Sequence, residues 1–372
     1  MQVVSCLELG GTEAFIMNNY RALDKTQYQF DFLVFIEKEY PYISEIESLG
    51  GHVFFSGLPS VFHIKQFEDS VEKTVREHGP YDAVHCHVNI QNGFPLKAAQ
   101  KCGIPIRISH SHASLGKEGK GIRKLLTKYK EHLIKKYATH MLACSSAAGT
   151  YLYGKSYFDL HGKVIPNGID VNSFLATDKK QTENLRNEFE IPSDCEMVVG
   201  NITRFDLNKN PMFTVRVFDA ILKQVPTAIL LMGGPDGGQL DAVKTLVKDL
   251  GIENQVRFIG KRTDIPACLQ LIDIYVFPSL LEGLGIALLE AQAAGCLCYA
   301  SNTVLSDSNM NIGNVHYYDL KDSPKSWAER IVSQFVNWEK PTSEKVKSAF
   351  QNAGYDILTS HRRLLEVYEG AK

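Results

Sequence analysis

The feature that most limits what this chain can become is the regular return of short apolar runs, each followed by a segment with helical spacing. Residues 30–35, 83–87, 104–109, 139–144, 198–202, 228–232, 256–259, 274–277 and 298–301 are such runs. Several are apolar at consecutive positions, as strands covered on both faces require. Segments 14–23, 43–49, 67–78, 93–102, 147–153, 240–250 and 286–294 carry helix formers between them. Strand and helix alternating in this way predict doubly wound α/β layers with parallel strands. Ligands of such sheets bind beyond the carboxyl ends of the strands. A length of 372 residues exceeds one ordinary domain and suits two. The boundary is expected in the Pro166-Asn167-Gly168 turn, where Pro fixes φ and Asn-Gly accepts positive φ.

The most informative stretch is 277–295. The strand Ile274-Tyr275-Val276-Phe277 is stopped by Pro278 and Ser279, and a loop with Gly283, Leu284 and Gly285 follows. The Ala- and Leu-rich run 286–294 then reads as a helix closed by Gly295. Loop amides and a helix start together favour an anion such as a diphosphate. Glu282 and Glu290 bracket the loop and suit sugar hydroxyls. Upstream, Arg204 and Lys209 precede a helix expected from Pro211, a favoured first helical residue. Arg offers a planar fork and Lys a point charge to phosphate.

Glu282 and Glu290, with Gly-Leu-Gly after the first, resemble the signature of retaining family-four glycosyltransferases with the GT-B fold. The resemblance spans nearly the whole chain and is densest over 198–295. It implies two doubly wound Rossmann-like domains facing across a cleft. Residues 1–165 would bind the acceptor and 166–354 the nucleotide sugar, with a final helix over 355–372 packing back on the first domain. In the family, an Arg and a Lys at the spacing of Arg204 and Lys209 clamp the donor pyrophosphate. Gly283, Leu284 and Gly285 would add main-chain amides, Glu290 would bind ribose, and Glu282 the transferred sugar. The Gly-rich turn 233–238 and the loop 260–265 would border the nucleotide. Gly10 and Gly11 stand where relatives carry a Gly-Gly loop facing the donor phosphate and the acceptor. Gly10-Gly11 equally suits a plain tight turn.

Two histidine pairs, His85 with His87 and His110 with His112, fall at expected strand ends. Alternate spacing puts each pair on one strand face. Zinc ligation, capping of strand ends, and contact with the reacting sugar are all open to them. Related enzymes place a histidine beside the transferred sugar, so His112, followed by His110, is the catalytic candidate, with Glu282, Arg204 and Lys209. Segment 117–136 carries Lys117, Lys120, Arg123, Lys124, Lys128, Lys130, Lys135 and Lys136 against Glu118 and Glu131. Its apolar positions Ile122, Leu125, Leu126, Tyr129, Leu133, Ile134 and Tyr137 have helical spacing. A solvated basic face or attraction to anionic lipid both fit.

A net charge of −2 argues against a nucleic-acid partner. The eight cysteines are scattered, which suits reduced thiols in the cytosol. No apolar run approaches a bilayer span and no secretory leader opens the chain. A cytoplasmic enzyme, peripheral at the inner face of the membrane, is expected. It would take a nucleotide diphosphate sugar as donor and a glycan or lipid-linked acceptor, and would need no cofactor or metal. Rival readings are a GT-B epimerase or phosphorylase, and a non-catalytic subunit that binds sugar nucleotides.

Overall fold

The computed structural model describes residues 1–8, 10–56, 64–112, 122–176, 178–282, 284–304 and 306–370. The chain divides into two compact units, Met1–Gly168 with Ile357–Lys372, and Ile169–Asp356.

The first unit is built on strands β1 (Gln2–Val4), β2 (Phe32–Val34), β3 (Val53–Phe55), β4 (Ala83–Cys86), β5 (Ile106–Ser111), β6 (His140–Ala143) and β7 (Gly162–Val164). They lie in the order β3-β2-β1-β4-β5-β6-β7. Every pairing is parallel. The order reverses between β1 and β4, the place where such sheets open a crevice. Alternate side chains feed opposite faces. Val4, Phe32, Val34, Ile108 and Leu142 join one core cluster, whereas Val3, Leu33, Phe35, Val84 and Cys86 join another.

The second unit repeats the plan with β8 (Val198–Ile202), β9 (Ile229–Gly233), β10 (Val256–Gly260), β11 (Ile274–Phe277), β12 (Leu297–Ser301) and β13 (Val315–Tyr318). Their order is β10-β9-β8-β11-β12-β13, again all parallel. The switch point lies between β8 and β11. Tyr275 and Phe277 pack on one face, Ile274 and Val276 on the other. Both faces are thus apolar, which is why the strand reads as an unbroken run.

After β13 comes the helix Pro324–Phe335. Ser323 caps it by accepting from the Ser326 amide, and Pro324 occupies its first turn. The C-terminal run is two helices, Ser343–Ala353 and Ile357–Glu369, separated at Gly354 with φ +80°. The second belongs to the first unit, where Leu364 and Val367 enter the core cluster of Phe15 and Phe32. Helices Lys155–His161, Val171–Leu175 and Lys179–Glu188, and strand β13, carry no clear apolar period.

The basic segment forms the helix Ile122–Tyr137. Its apolar stripe does not stay together. Leu133 and Ile134 are buried, but Leu125 and Tyr129 are 68% and 49% exposed, beside exposed Lys124 and Lys128. Lys117 and Lys120 lie outside the described residues.

Candidate functional site

In the second unit, the loops after β8 and β11 meet at the carboxyl edge of the sheet. Asn201 Nδ2 donates to the Val276 carbonyl at 2.8 Å, and the Leu280 amide donates to the Asn208 carbonyl at 2.7 Å. Within the first loop, the Lys209 amide donates to Asp206 Oδ1 at 3.0 Å. Asn210, in the left-handed region at φ +52°, then turns the chain into the helix Pro211–Leu222. These braces bring Lys209 Nζ to 2.5 Å from Glu282 Oε1 and 5.3 Å above the Phe277 ring. The expected phosphate cation and sugar carboxylate therefore form an ion pair. Lys209 is 23% and Glu282 8% exposed at the side chain, so the pair is shielded from screening.

Arg204 lies on the same loop with its side chain exposed. Its guanidinium makes no ion pair among the described residues. The Gly-rich turn backs this loop. The Phe205 amide donates to the Pro235 carbonyl at 2.9 Å, and a Cβ on Gly234 would lie 2.0 Å from the Thr203 carbonyl oxygen. Only glycine fits there. The loop after β10 is braced by Arg262, which pairs with Asp264 and Glu188.

Gly285 takes the left-handed conformation at φ +73° and starts the helix Ile286–Ala293. Leu284 is buried, with its carbonyl accepting from the Ser308 hydroxyl, and Gly283 lies outside the described residues. The carboxyl of Glu290, half-buried on that helix, has no hydrogen bond or ion pair among the described residues. Desolvation pushes its carboxyl up to about 7. Sequence reasoning missed Ser279, fully buried at the end of β11, whose hydroxyl finds no partner among the described residues. A polar residue between an apolar run and a glycine loop was its only signal.

In the first unit, Gly10 precedes the helix Gly11–Ala22. A Cβ on Gly10 would fall 2.5 Å from the Glu13 carboxylate, so the turn is close-packed. The four histidines gather at the ends of β4 and β5. His85 Nε2 is 3.1 Å from His110 Nδ1, and His87 Nδ1 is 2.8 Å from His112 Nε2. Phe15 packs edge-on to His110, ring centroids 4.8 Å apart. Tyr368 Oη reaches His85 Nδ1 at 2.7 Å, and Gln2 Oε1 reaches His87 Nε2 at 2.9 Å. Burial, then neighbouring imidazoles, hold His85, His87 and His110 well below the usual histidine range, and burial alone takes His112 to about 3. All four are neutral at physiological pH. Zinc on His85, His87 and His110, whose ligand atoms lie within 4.8 Å of one another, would have to break this hydrogen-bonded set. His110 Nε2 and His112 Nδ1 have no partner among the described residues. Sequence spacing placed the histidines together; nothing in it pointed to Gln2 or Tyr368.

Among the described residues, no helix is long and apolar enough to cross a membrane.

Known proteins resemble this chain along its length. The family model for Glycosyltransferase Family 4 matches residues 9–173, and that for Glycosyl transferases group 1 matches 181–350. A protein of Bacillus subtilis (strain 168) that carries the name glycosyltransferase EpsF is 32% identical over 99% of this chain and 95% of its own. The capsular polysaccharide biosynthesis glycosyltransferase CapH of Staphylococcus aureus is 24% identical over 99% of this chain and 98% of its own. Among solved structures, Anabaena HepE in complex with UDP-glucose superposes with a TM-score of 0.76 at 20% identity, covering 100% of both chains.

Proposed function

The chain belongs to the family-four glycosyltransferases with the GT-B fold, and from that membership we propose that it moves a sugar, with retention of configuration, from a nucleotide diphosphate sugar to a glycan or lipid-linked acceptor in the making of a cell-surface polysaccharide. The observation that carries this reading is the meeting of Lys209, Glu282 and the Gly285 helix start at one sheet edge. A diphosphate laid there meets the Lys209 ammonium, the Arg204 fork and the amides that open the helix Ile286–Ala293. Glu290 accepts from ribose hydroxyls. Glu282, released from part of its contact with Lys209, accepts from the sugar. UDP is the favoured nucleotide, because the HepE structure holds UDP-glucose.

In the reaction, the bond between the anomeric carbon and the phosphate oxygen breaks as the acceptor oxygen bonds to the same face. The acceptor proton passes to the departing phosphate oxygen. Lys209, Arg204 and the loop amides stabilise the charge that develops there, each worth on the order of 3 kcal/mol. His112 and His110, neutral and buried, contribute hydrogen bonds to the sugar rather than positive charge. We place the protein at an anionic membrane face through Lys124, Lys128, Leu125 and Tyr129.

The test is direct. UDP-sugars should raise Tm and GDP-, ADP- and CMP-sugars should not, and the glycoside formed should keep the donor's anomeric configuration by proton NMR. Stabilisation without transfer to any acceptor, or release of an epimerised sugar, would replace this reading with the subunit or epimerase alternative.

A further inference from the structure

Gln2 heads two rows of buried hydrogen-bonding groups. In one row, Tyr368 Oη lies 2.7 Å from His85 Nδ1, and His85 Nε2 lies 3.1 Å from His110 Nδ1. In the other, Gln2 Oε1 lies 2.9 Å from His87 Nε2, and His87 Nδ1 lies 2.8 Å from His112 Nε2. Gln2 Nε2 donates to Tyr368 Oη at 3.2 Å and joins the rows. Gln2, His85, His87 and His110 are each no more than 5% exposed. The rows end at His110 Nε2 and His112 Nδ1, ring nitrogens with no partner among the described residues.

A neutral imidazole has one N–H and one lone pair, so a row of them passes hydrogen bonds on in a single direction. The Gln2 carbonyl must accept, so His87 carries its hydrogen on Nε2. His87 Nδ1 then accepts from His112 Nε2–H, and His112 Nδ1 is left a lone pair. In the other row, the Gln2 amide hydrogen goes to the Tyr368 oxygen. The Tyr368 hydroxyl donates to His85 Nδ1, His85 Nε2–H donates to His110 Nδ1, and His110 Nε2–H is left over. Turning the amide over inverts both rows at once, and the two ends stay opposite. The cause is that an amide has a donor end and an acceptor end, and each row starts from one of them.

We propose that Gln2 and Tyr368 are positioning residues that lock His110 and His112 into the same tautomer, so that their free nitrogens, Nε2 of His110 and Nδ1 of His112, differ in role and offer one donor and one acceptor to a single hydroxyl of the transferred sugar. The rings are stacked, centroids 4.2 Å apart and planes 18° apart, which suits joint contact with one small group. A hydroxyl accepts and donates together, so it satisfies both orphan nitrogens. The assignment of the hydroxyl rests on the sugar-facing reading of His110 and His112 given above; the relay does not.

The two are separated by measuring tautomers and kinetics on the same proteins. In ligand-free protein labelled with 15N-histidine, long-range proton–nitrogen correlation at pH 8 should show His110 and His112 with hydrogens on Nε2 in both rings, which leaves His110 Nε2–H as the free donor and His112 Nδ1 as the free acceptor. The inverted state, with both on Nδ1, is the only other pattern the relay allows. Tyr368→Phe should leave His112 in its tautomer and let His110 average between two. Gln2→Glu accepts at both oxygens, so it should set His112 on Nε2 and His110 on Nδ1. In both variants kcat/KM for a UDP-sugar should fall about tenfold while UDP affinity holds, the worth of one hydrogen bond. Unlinked tautomers in the parent, or a His110 tautomer indifferent to both substitutions, would overturn the relay. Tautomers that shift as stated with kcat/KM unchanged would remove the hydroxyl from the assignment and the histidines from the sugar.

Discussion

Glu290 and Lys209 show how single side chains in this molecule are poised by what surrounds them. Glu290, desolvated and held near a pKa of about 7, is largely protonated below that pH. Ribose hydroxyls hydrogen-bond the ionised form and pull the value down. Binding of UDP-glucose, which does not itself titrate in this range, should therefore release protons, and its affinity should weaken about tenfold from pH 8 to pH 6. Calorimetry in buffers of different ionisation enthalpy measures both effects, and Glu290→Gln should abolish them. Without ligand the sign is opposite. The folded pKa is raised from 4.5, so the folded state holds the proton better than the unfolded chain. That stability is full below about pH 4.5 and is lost as pH rises through about 7, to the extent of about 1 to 3 kcal/mol once partial exposure is allowed for. Lys209 and Glu282 are coupled differently. Lys209→Met strands a carboxylate that is 8% exposed, which should cost on the order of 3 kcal/mol and lower Tm by on the order of 10 °C. Adding Glu282→Gln should recover most of that Tm without restoring transfer. Each of these residues was legible as a type in a motif. Their pairing was not, because 73 positions separate Lys209 from Glu282.

Elements were legible where burial is two-sided and faint where it is not. Strand β11 is buried along its whole length and announces itself as Ile-Tyr-Val-Phe. Strand β13, at the sheet edge, is only partly buried, and its Val-His-Tyr-Tyr blends into loop. The helix Lys179–Glu188 buries only Leu185, so it has no apolar stripe to read. The helix Ile122–Tyr137 was the reverse case, since its stripe was plain but its division was not. The half with Leu133 and Ile134 serves the core, while Leu125 and Tyr129 face outward among lysines. Such a surface suits an anionic bilayer, where each basic residue contributes about 1 kcal/mol. Changing Lys124, Lys128 and Lys136 together to Ala should weaken sedimentation with phosphatidylglycerol-containing vesicles about a hundredfold. Binding to neutral vesicles and thermal stability should barely move. Leu125→Glu should weaken binding to both vesicle types, because it removes buried apolar area as well as adding a negative charge.

At the scale of the whole molecule, the chain leaves the first unit once and returns to it once. The outward passage at Ile169 and the return at Asp356 form a parallel bridge, and the Ile169 amide donates to the Tyr355 carbonyl at 2.9 Å. The returning helix Ile357–Glu369 then completes the first unit. Ser360 Oγ donates to the Pro166 carbonyl at 2.5 Å, and His361 Nδ1 lies 3.3 Å from Asn19 Oδ1. Leu364 and Val367 enter the core beside Phe15 and Phe32, and Tyr368 meets His85. Nothing in the sequence of that helix distinguishes which unit it joins; its amphipathic face would fit either. The consequence is an asymmetry in how the molecule can be cut. The second unit is continuous, Ile169–Asp356, with a core cluster on each face of its sheet. Expressed as 169–356, it should fold cooperatively and gain Tm with UDP. Residues 1–168 alone should not, because removing the helix exposes Leu364's and Val367's partners and leaves His85 and Gln2 without Tyr368. Burying two aliphatic side chains contributes roughly 3 to 6 kcal/mol, a large share of a marginal domain's stability. Joining 357–372 to 1–168 through a short Gly-Ser linker should restore a cooperative transition by circular dichroism. A folded, sharply melting 1–168 would show instead that the last helix only decorates a unit already complete.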